Sequence, residues 1–170
     1  MTPAAHKLSL SHYRGDDNFK IKKDFKPQKV DMKPSGLWVS VDGEYDWPEW
    51  CRAEDFNLAN LEYRFKVELA PEANLLVIDS PLDLLDFTKQ HGKPIIPGHS
   101  GSYQGIDWPT LAKSYDGIII APYQWSCRLL HETFWYYGWD CASGCIWNPN
   151  AIAGMSLMTP MKIKRITKAA

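Results

Sequence analysis

Short strand-like segments and helix starts follow one another along this chain without regular alternation, and this order constrains the fold most. Apolar runs or a period-two alternation, which are typical of β-strands, occur in residues 7–13, 36–41, 63–70, 74–80, 116–122 and 143–149. The apolar run 74–80 is expected to be a central strand. Helical signals occur in residues 47–56, 81–91 and 106–115. Because these elements do not repeat as β-α-β units, the sequence predicts an α+β fold rather than a doubly wound parallel sheet.

Two of the helix starts have specific capping signals. Asp46 precedes Pro48 and Glu49, an arrangement in which an aspartate caps the first turn of a helix. Ser80-Pro81 has the same character, and Gly92 is placed to end the helix that follows. Residues 93–105 are expected to form a loop, whereas the aromatic stretch 122–139 has no clear assignment.

The size and composition indicate one globular domain. A chain of 170 residues can bury a hydrophobic core, and a net charge of −1 provides no global attraction to nucleic acid or membranes. We expect no membrane association, because no apolar stretch approaches the length of a membrane span and no signal peptide is recognisable. Four cysteines need not form a disulfide framework in a chain of this size. The sequence therefore predicts a cytoplasmic, reduced protein, expected to be a monomer.

Charge is unevenly distributed along the chain. Residues 1–40 contain eight Lys/Arg against four Asp/Glu, whereas residues 41–86 contain twelve Asp/Glu against three Lys/Arg. The lysines concentrate in a polar loop, about residues 15–35, which we expect to be mobile. A basic tail follows at about residues 160–170. Such asymmetry is compatible with a phosphate-rich partner and with an ordinary solvated surface.

The segment WDCASGCIW, residues 139–147, brings two thiols, a carboxylate and a hydroxyl together in sequence. On a strand, Cys141 and Cys145 would lie roughly 13 Å apart, too far to share a zinc ion. No second Cys/His pair has zinc-site spacing, and no motif pairs a cysteine with a catalytic histidine. We therefore predict no metal site and interpret the cysteines as core or wall residues, with Trp139 and Trp147 as packing or stacking residues.

Two further clusters combine ring and hydrogen-bonding side chains. His12-Tyr13-Arg14 ends the first strand immediately before the long loop. On the next strand, Trp38 and Ser40 are two residues apart and face the same side. An indole beside a hydroxyl can hold a planar ring and a ribose, although both clusters are also compatible with a structural role.

The order of these motifs resembles the ADP-ribosyltransferase superfamily, in particular its small bacterial and phage members. The motifs are HYR (12–14), GLWVS (36–40), YDGIII (115–120) and GCIWNPNAI (144–152). The resemblance implies two small packed mixed sheets with flanking helices around a cleft that binds NAD as a substrate. The final motif of the family normally carries a catalytic Glu, and the matching residue in this chain is Ser143. Asp140, or Glu132 in the preceding aromatic segment, would then have to replace that carboxylate.

The resemblance also implies roles for individual residues. The residues predicted to bind NAD are His12, Tyr13, Arg14, Gly36, Trp38, Ser40 and Trp47. The resemblance matches His12, Arg14 and Ser40 to family positions, whereas Tyr13, Trp38 and Trp47 are candidate aromatic walls for nicotinamide. Trp50 is a further candidate wall for the nicotinamide ring, and the lysine-rich loop is a candidate clamp for the pyrophosphate. Asp140 and Ser143 are the candidate catalytic residues, which requires Asp140 to lie in the loop before the last strand or beside a bulge near Ala142.

The implied function is transfer of ADP-ribose to an intracellular protein or nucleic acid through an oxocarbenium-like cleavage of the nicotinamide–ribose bond. A carboxylate near the 2′-hydroxyl would stabilise the positive charge that develops. Two alternatives remain open: a non-catalytic protein or nucleic-acid binding module on the same fold, and a metal-independent ribonuclease. The ribonuclease would use His12, His99 or His131 as acid and base.

Overall fold

The chain adopts a mixed α+β fold, as the order of its sequence patterns predicts, and its strands form two sheets. The computed structural model describes residues 5–98 and 104–158. Within these ranges the strands are β1 (Leu10–Arg14), β2 (Val30–Asp31), β3 (Leu37–Val41), β4 (Tyr63–Leu69), β5 (Leu75–Ile78), β6 (Gly92–Pro94), β7 (Gln104–Asp107), β8 (Gly117–Ile120), β9 (Ser143–Ile146) and β10 (Ile152–Leu157). The α-helices are α1 (Trp47–Ala53), α2 (Pro81–His91) and α3 (Trp108–Leu111). Short 3₁₀ helices span Ala5–Lys7, Leu58–Leu61, Trp125–Cys127, Phe134–Gly138 and Pro149–Ala151.

The resemblance implies two small mixed sheets, but the observed sheets differ in size and only the larger one is mixed. Seven strands form a mixed sheet in the order β10-β4-β1-β3-β9-β8-β5, in which β5 and β8 are parallel and the other neighbours are antiparallel. A three-stranded antiparallel sheet has the order β2-β7-β6. The candidate residues on β1, β3 and β9 therefore lie in one continuous sheet.

Both predicted helix starts are confirmed, and the reason is local. The Asp46 side chain accepts a hydrogen bond of 3.0 Å from the Glu49 backbone amide, and Glu49 in turn accepts one of 2.8 Å from the Tyr45 amide. Ser80 accepts the Asp83 amide at 3.2 Å. These contacts satisfy amide groups that have no partner inside the helix, so the capping side chains mark where α1 and α2 begin.

Some strand predictions are wrong, because a short segment becomes a strand, and takes its position in a sheet, according to the strands that pair with it. The run 74–80 forms β5, which lies at an edge of the seven-stranded sheet and not at its centre. Parts of the predicted loop 93–105 form β6 and the start of β7. The sequence did not predict β10, whose strand contains Gly154. It forms because the alternating strand β4 offers it an edge for pairing.

The core is rich in tryptophan. Trp108, Trp135 and Trp139 are almost fully buried, and the all-apolar strand β8 is buried along its length. The unassigned aromatic stretch folds into the two 3₁₀ helices Trp125–Cys127 and Phe134–Gly138, which place Trp135 and Tyr136 in this core. Aromatic packing therefore positions the segment that leads into Asp140.

A cleft opens where β1 and β3 separate. Along its whole length β1 pairs with β4, but it pairs with β3 only at Leu10 and Ser11. Meanwhile β3 pairs with β9 from Leu37 to Ser40. The end of β1 and the start of β3 are thus held by different neighbours, which leaves a gap between them inside one sheet.

The lysine-rich loop is attached to the core by its apolar residues. Phe19, Ile21, Phe25 and Met32 are partly buried against the hydrophobic core. The predicted basic tail, about residues 160–170, lies outside the described residues. The longest helix among the described residues is α2, with eleven residues, and none of the helices there is long and apolar enough to cross a membrane.

Candidate functional site: a cleft between β1 and β3

His12 bridges the two separating strands. Its Nδ1 lies 2.8 Å from the backbone oxygen of Trp38, and because a carbonyl only accepts, Nδ1 must carry the proton. The pKa of His12 is lowered mainly by burial and also by Arg14, while the hydrogen bond to Trp38 opposes the shift. The imidazole is therefore neutral near pH 7, with Nε2 able to accept a hydrogen bond from a ligand.

Trp38, Ser40 and Trp47 form one wall of the cleft. Alternation along β3 brings Trp38 and Ser40 to the same face. The Ser40 hydroxyl accepts a hydrogen bond of 2.9 Å from the Trp47 amide, so this serine holds the start of α1 beside the strand. Trp38 packs edge-on against Trp139 with ring centroids 4.8 Å apart.

Asp140 lies in the loop before β9, as the sequence interpretation required. Burial raises the pKa of its carboxyl group, and Glu54 contributes to the increase, whereas Lys33 and Arg128 oppose it. The Arg128 guanidinium is 3.9 Å from the Asp140 carboxylate. A partly buried carboxylate between two cations can stay ionised near neutral pH and is more basic than an exposed aspartate.

Ser143 and Cys141 are buried beside Asp140. The Ser143 hydroxyl donates to the Cys141 carbonyl at 2.9 Å. Burial raises the pKa of the Cys141 thiol to about 12 and that of Cys51 to about 11, so neither forms the thiolate that nucleophilic catalysis needs. In the described ranges, no three His, Cys, Asp or Glu side chains are grouped to hold a metal ion.

One cavity of about 330 Å³ collects most of the predicted residues. Its lining includes His12, Tyr13, Trp38, Ser40, Trp47, Asp140 and Ser143. Three residues predicted for the NAD site are not in this lining: Arg14, Gly36 and Trp50, which stacks on Trp47 with ring centroids 5.1 Å apart. Arg14 instead forms an exposed ion pair of 2.8 Å with Asp16, and Gly36 packs against the backbone of β9.

A charged network supports the cleft behind Tyr13. The Ser11 hydroxyl donates to Asp42 at 2.9 Å and accepts from Arg64 at 2.9 Å, while Arg64 also contacts Asp42 at 2.8 Å. Burial raises the pKa of Tyr13 to about 12. Its hydroxyl therefore remains protonated at physiological pH, and its ring can serve as a wall of the cleft.

Gly36 has a structural role that a substitution can test. A methyl group at this position would contact the Ile146 carbonyl oxygen and would lie 2.9 Å from the Cys145 sulfur. We expect Gly36→Ala to lower the free energy of unfolding by about 1–3 kcal/mol through overpacking, as measured by urea denaturation. Gly154→Ala is the matched control, because the added methyl group would meet only Glu68, at 3.9 Å. Equal stability of both variants would contradict this explanation.

Sequence reasoning missed two asparagines that line the cleft, Asn57 and Asn60, which lie at the start of and within the 3₁₀ helix before β4. Lys33, in the lysine-rich loop that was predicted to contact phosphates, also lines the cleft. The Lys33 ammonium lies 5.2 Å from the centre of the Trp38 ring. The Asn-x-x-Asn spacing was a possible signal of a polar turn, but no local pattern connects residues 57–60 with β1.

The histidines proposed for a ribonuclease are not brought together as a pair in the described part of the cleft. His12 lines it, whereas His131 is exposed and does not. His99 lies outside the described residues, and Glu132, the alternative carboxylate, is also exposed and outside the lining.

A comparison of the chain with family models, curated proteins and solved structures found no match.

Proposed function

We propose that this chain is an NAD-dependent ADP-ribosyltransferase that modifies an intracellular macromolecule. The observation that carries the proposal is the composition of one cleft. It combines a neutral histidine, aromatic walls from Trp38 and Trp47, and the carboxylate of Asp140. A planar ring, a ribose hydroxyl and a developing positive charge each have a suitable partner among these residues.

The size of the cavity fits part of NAD. A volume of about 330 Å³ is near the lower end of the roughly 300–1,000 Å³ of small-molecule sites. It is suited to the nicotinamide ring and its ribose, with the remainder of the dinucleotide extending out of the opening. The Trp rings would hold nicotinamide, His12 Nε2 would accept a ribose hydroxyl, and Lys33 would contact a phosphate group.

In the proposed reaction, Asp140 replaces the glutamate that the family resemblance leads us to expect at Ser143. The bond between ribose C1′ and the nicotinamide nitrogen breaks, and nicotinamide leaves with the bonding electrons. An acceptor N–H or O–H group forms the new bond to C1′, and its proton passes to Asp140 and then to water. The Asp140 carboxylate stabilises the positive charge that develops on the ribose and accepts this proton.

The direct test is a nicotinamide-release assay. Purified protein is incubated with NAD labelled in its adenylate part, with and without a cell lysate. We expect nicotinamide release and the transfer of label to a macromolecule. The absence of both, together with an unchanged melting temperature in saturating NAD, would contradict the proposal.

His12 provides a second test, through affinity. In His12→Asn, the asparagine amide can still donate toward the Trp38 carbonyl, but the acceptor at Nε2 is lost. We expect NAD affinity to fall about tenfold, which corresponds to about 1.4 kcal/mol for one hydrogen bond. Calorimetric titration measures this effect, and the exposed His131→Asn is the control. An unchanged Kd for His12→Asn would refute the assigned contact.

The affinity should also depend on pH in a defined direction. Only neutral His12 can accept through Nε2, and its pKa is lowered in the folded protein. As the pH is lowered, the affinity for NAD should therefore stay constant through the pH range in which an exposed histidine is protonated, and it should decrease only at more acidic pH.

Ser143 favours one competing function, non-catalytic binding. Its hydroxyl is directed to the Cys141 carbonyl and replaces the carboxylate that the resemblance leads us to expect. A binding module would show a melting-temperature increase with a nucleotide ligand but no nicotinamide release.

A further inference from the structure

Four exposed lysines form a ridge beside the cleft. We use the name lysine ridge for Lys20, Lys22, Lys23 and Lys26. All four are exposed, and none forms an ion pair with another described residue. Across residues 18–33 there are six lysines against Asp24 and Asp31. This segment therefore presents a concentrated positive charge on a chain whose net charge is −1.

The ridge follows a defined path over the protein. Phe19, Ile21 and Phe25 are partly buried, and the lysines between and after them point outward. Further along, the Gln28 side-chain amide donates a hydrogen bond of 2.5 Å to the Ser35 carbonyl and accepts one of 3.0 Å from the Ser35 backbone amide. The apolar contacts thus hold the segment in place and direct the charges to solvent.

Both ends of this segment meet the cleft. At its start, the Phe19 ring packs against His12 with centroids 5.0 Å apart. At its end, Lys33 lies in the cavity lining and near the Trp38 ring. A polyanion bound along the ridge would consequently pass the opening of the cleft.

The lysine ridge lies outside the cavity that would hold NAD. Within the cavity lining, Lys33 is the basic side chain that can contact a phosphate of the dinucleotide. The ridge lysines do not line the cavity. Their charge is therefore available to a second, larger anion.

The other side of the cleft suits bases but not phosphates. Trp47 and Trp50 are stacked with centroids 5.1 Å apart, and Phe56, 48% exposed, packs edge-on against both. In sequence this aromatic corner is flanked by the exposed carboxylates of Glu44, Glu49, Glu54 and Asp55, with the exposed Arg52 as the one basic residue in residues 44–56. Neutral bases can stack on the exposed Phe56 ring and on the partly exposed Trp47 and Trp50 rings, whereas the carboxylates would repel phosphates.

We propose that the acceptor is a single-stranded nucleic acid, whose phosphates lie on the lysine ridge and whose unpaired bases reach the aromatic corner. This inference rests on the proposed transferase function. An unpaired strand is required because bases inside a duplex cannot reach exposed rings or a cleft. The separation of lysines from aromatic rings would also fix the direction from which the strand approaches.

The test measures the binding of labelled twelve-nucleotide DNA and RNA strands by fluorescence anisotropy over a range of KCl concentrations. Each single-strand phosphate contact contributes a slope of about −0.7 to the plot of log affinity against log salt. We expect the triple variant Lys20→Gln, Lys22→Gln, Lys23→Gln to lose about two units of that slope. The matched control is Lys7→Gln, Lys89→Gln, Lys113→Gln, which makes the same charge change at exposed sites outside the ridge and should retain the slope. Equal weakening in both variants, or no binding by the unmodified chain at low salt, would overturn the proposal.

Two measurements separate this inference from the proposed function. The ridge variant should keep its NAD-induced increase in melting temperature, because the substituted lysines do not line the cavity. Label that appears on protease-sensitive material, without oligonucleotide binding, contradicts the nucleic-acid acceptor and leaves the transferase intact. Oligonucleotide binding with no nicotinamide release, even when NAD and a strand are both present, contradicts the transferase function itself and with it the role of the strand as acceptor.

Discussion

Asp140→Asn is expected to lower the rate of nicotinamide release by about 10²–10⁴-fold, the range for the loss of a positioned acid–base group. The amide keeps the shape of the side chain but can neither stabilise positive charge on the ribose nor accept a proton. Initial rates under saturating NAD measure the effect. Glu132→Gln is the matched control, because this exposed carboxylate is near in sequence but outside the cavity lining. A full effect at Glu132 and none at Asp140 would reverse the assignment.

The melting temperature of Asp140→Asn distinguishes a loss of catalysis from misfolding of the variant. The pKa of Asp140 is raised in the folded protein, chiefly by burial, so the ionised form is less favourable in the native state than in the unfolded chain. This unfavourable contribution is present above the folded pKa and disappears as the pH falls through it. Replacing the carboxylate with a neutral amide should therefore not lower the melting temperature near pH 7. For the same reason, the acidic limb of the pH–rate profile should lie above the pKa of an exposed aspartate.

Trp135→Ala is expected to have the largest effect on stability, a loss of about 3–5 kcal/mol, because it leaves a large cavity in the core. Trp135 is completely buried, and its indole nitrogen donates to the Thr88 hydroxyl at 2.9 Å. Its ring also packs perpendicular to Trp139, with centroids 6.1 Å apart. The substitution would remove the packing and the indole donor to the Thr88 hydroxyl, which would keep its own hydrogen bond of 2.8 Å to the Leu84 carbonyl. Urea denaturation monitored by circular dichroism gives the change in free energy.

Trp125→Ala is the control for this substitution. Trp125 is 55% exposed and packs edge-on against Tyr45 and Tyr123, so its removal should cost only about 1 kcal/mol. A comparable loss of stability in the two variants would mean that the 3₁₀ segments, and not the buried ring, dominate the stability of this region.

The core and the site are connected through residue 139. Trp139 is buried against Trp135 and Trp38, and its backbone carbonyl accepts a hydrogen bond of 2.6 Å from Tyr123. Asp140 follows directly, in a loop with no regular secondary structure. The aromatic packing of the preceding residues consequently determines where this carboxylate lies, which places the most important candidate side chain under the control of the core.

Local chemistry explains what could be predicted from the sequence. The starts of α1 and α2 follow from Asp46 and Ser80, whose side chains satisfy the first amides of each helix wherever the helix lies in the fold. The common face of Trp38 and Ser40 follows from the period of a strand. The α+β class follows from the order of such segments. These features depend on interactions between residues that are close in sequence, so they can be predicted without knowing the tertiary structure.

The tertiary structure decided the features that depend on partners far apart in the chain. Strand β5 is an edge strand because it pairs only with β8 in the seven-stranded sheet, and β10 forms because it pairs with β4. The residues of these two segments do not by themselves specify their pairing partners. Gly36 is required by the close approach of the Ile146 backbone, and Arg14 is directed to Asp16. The meeting of His12, Asp140 and Lys33 in one cleft arises because β1 leaves β3 after Ser11. By itself, the sequence determined the caps, the strand periods and the supply of candidate side chains. Only the pairing of distant strands and the packing of the tryptophan core decided which of those side chains share a site, because the free energy of such contacts exists only once the chain has folded.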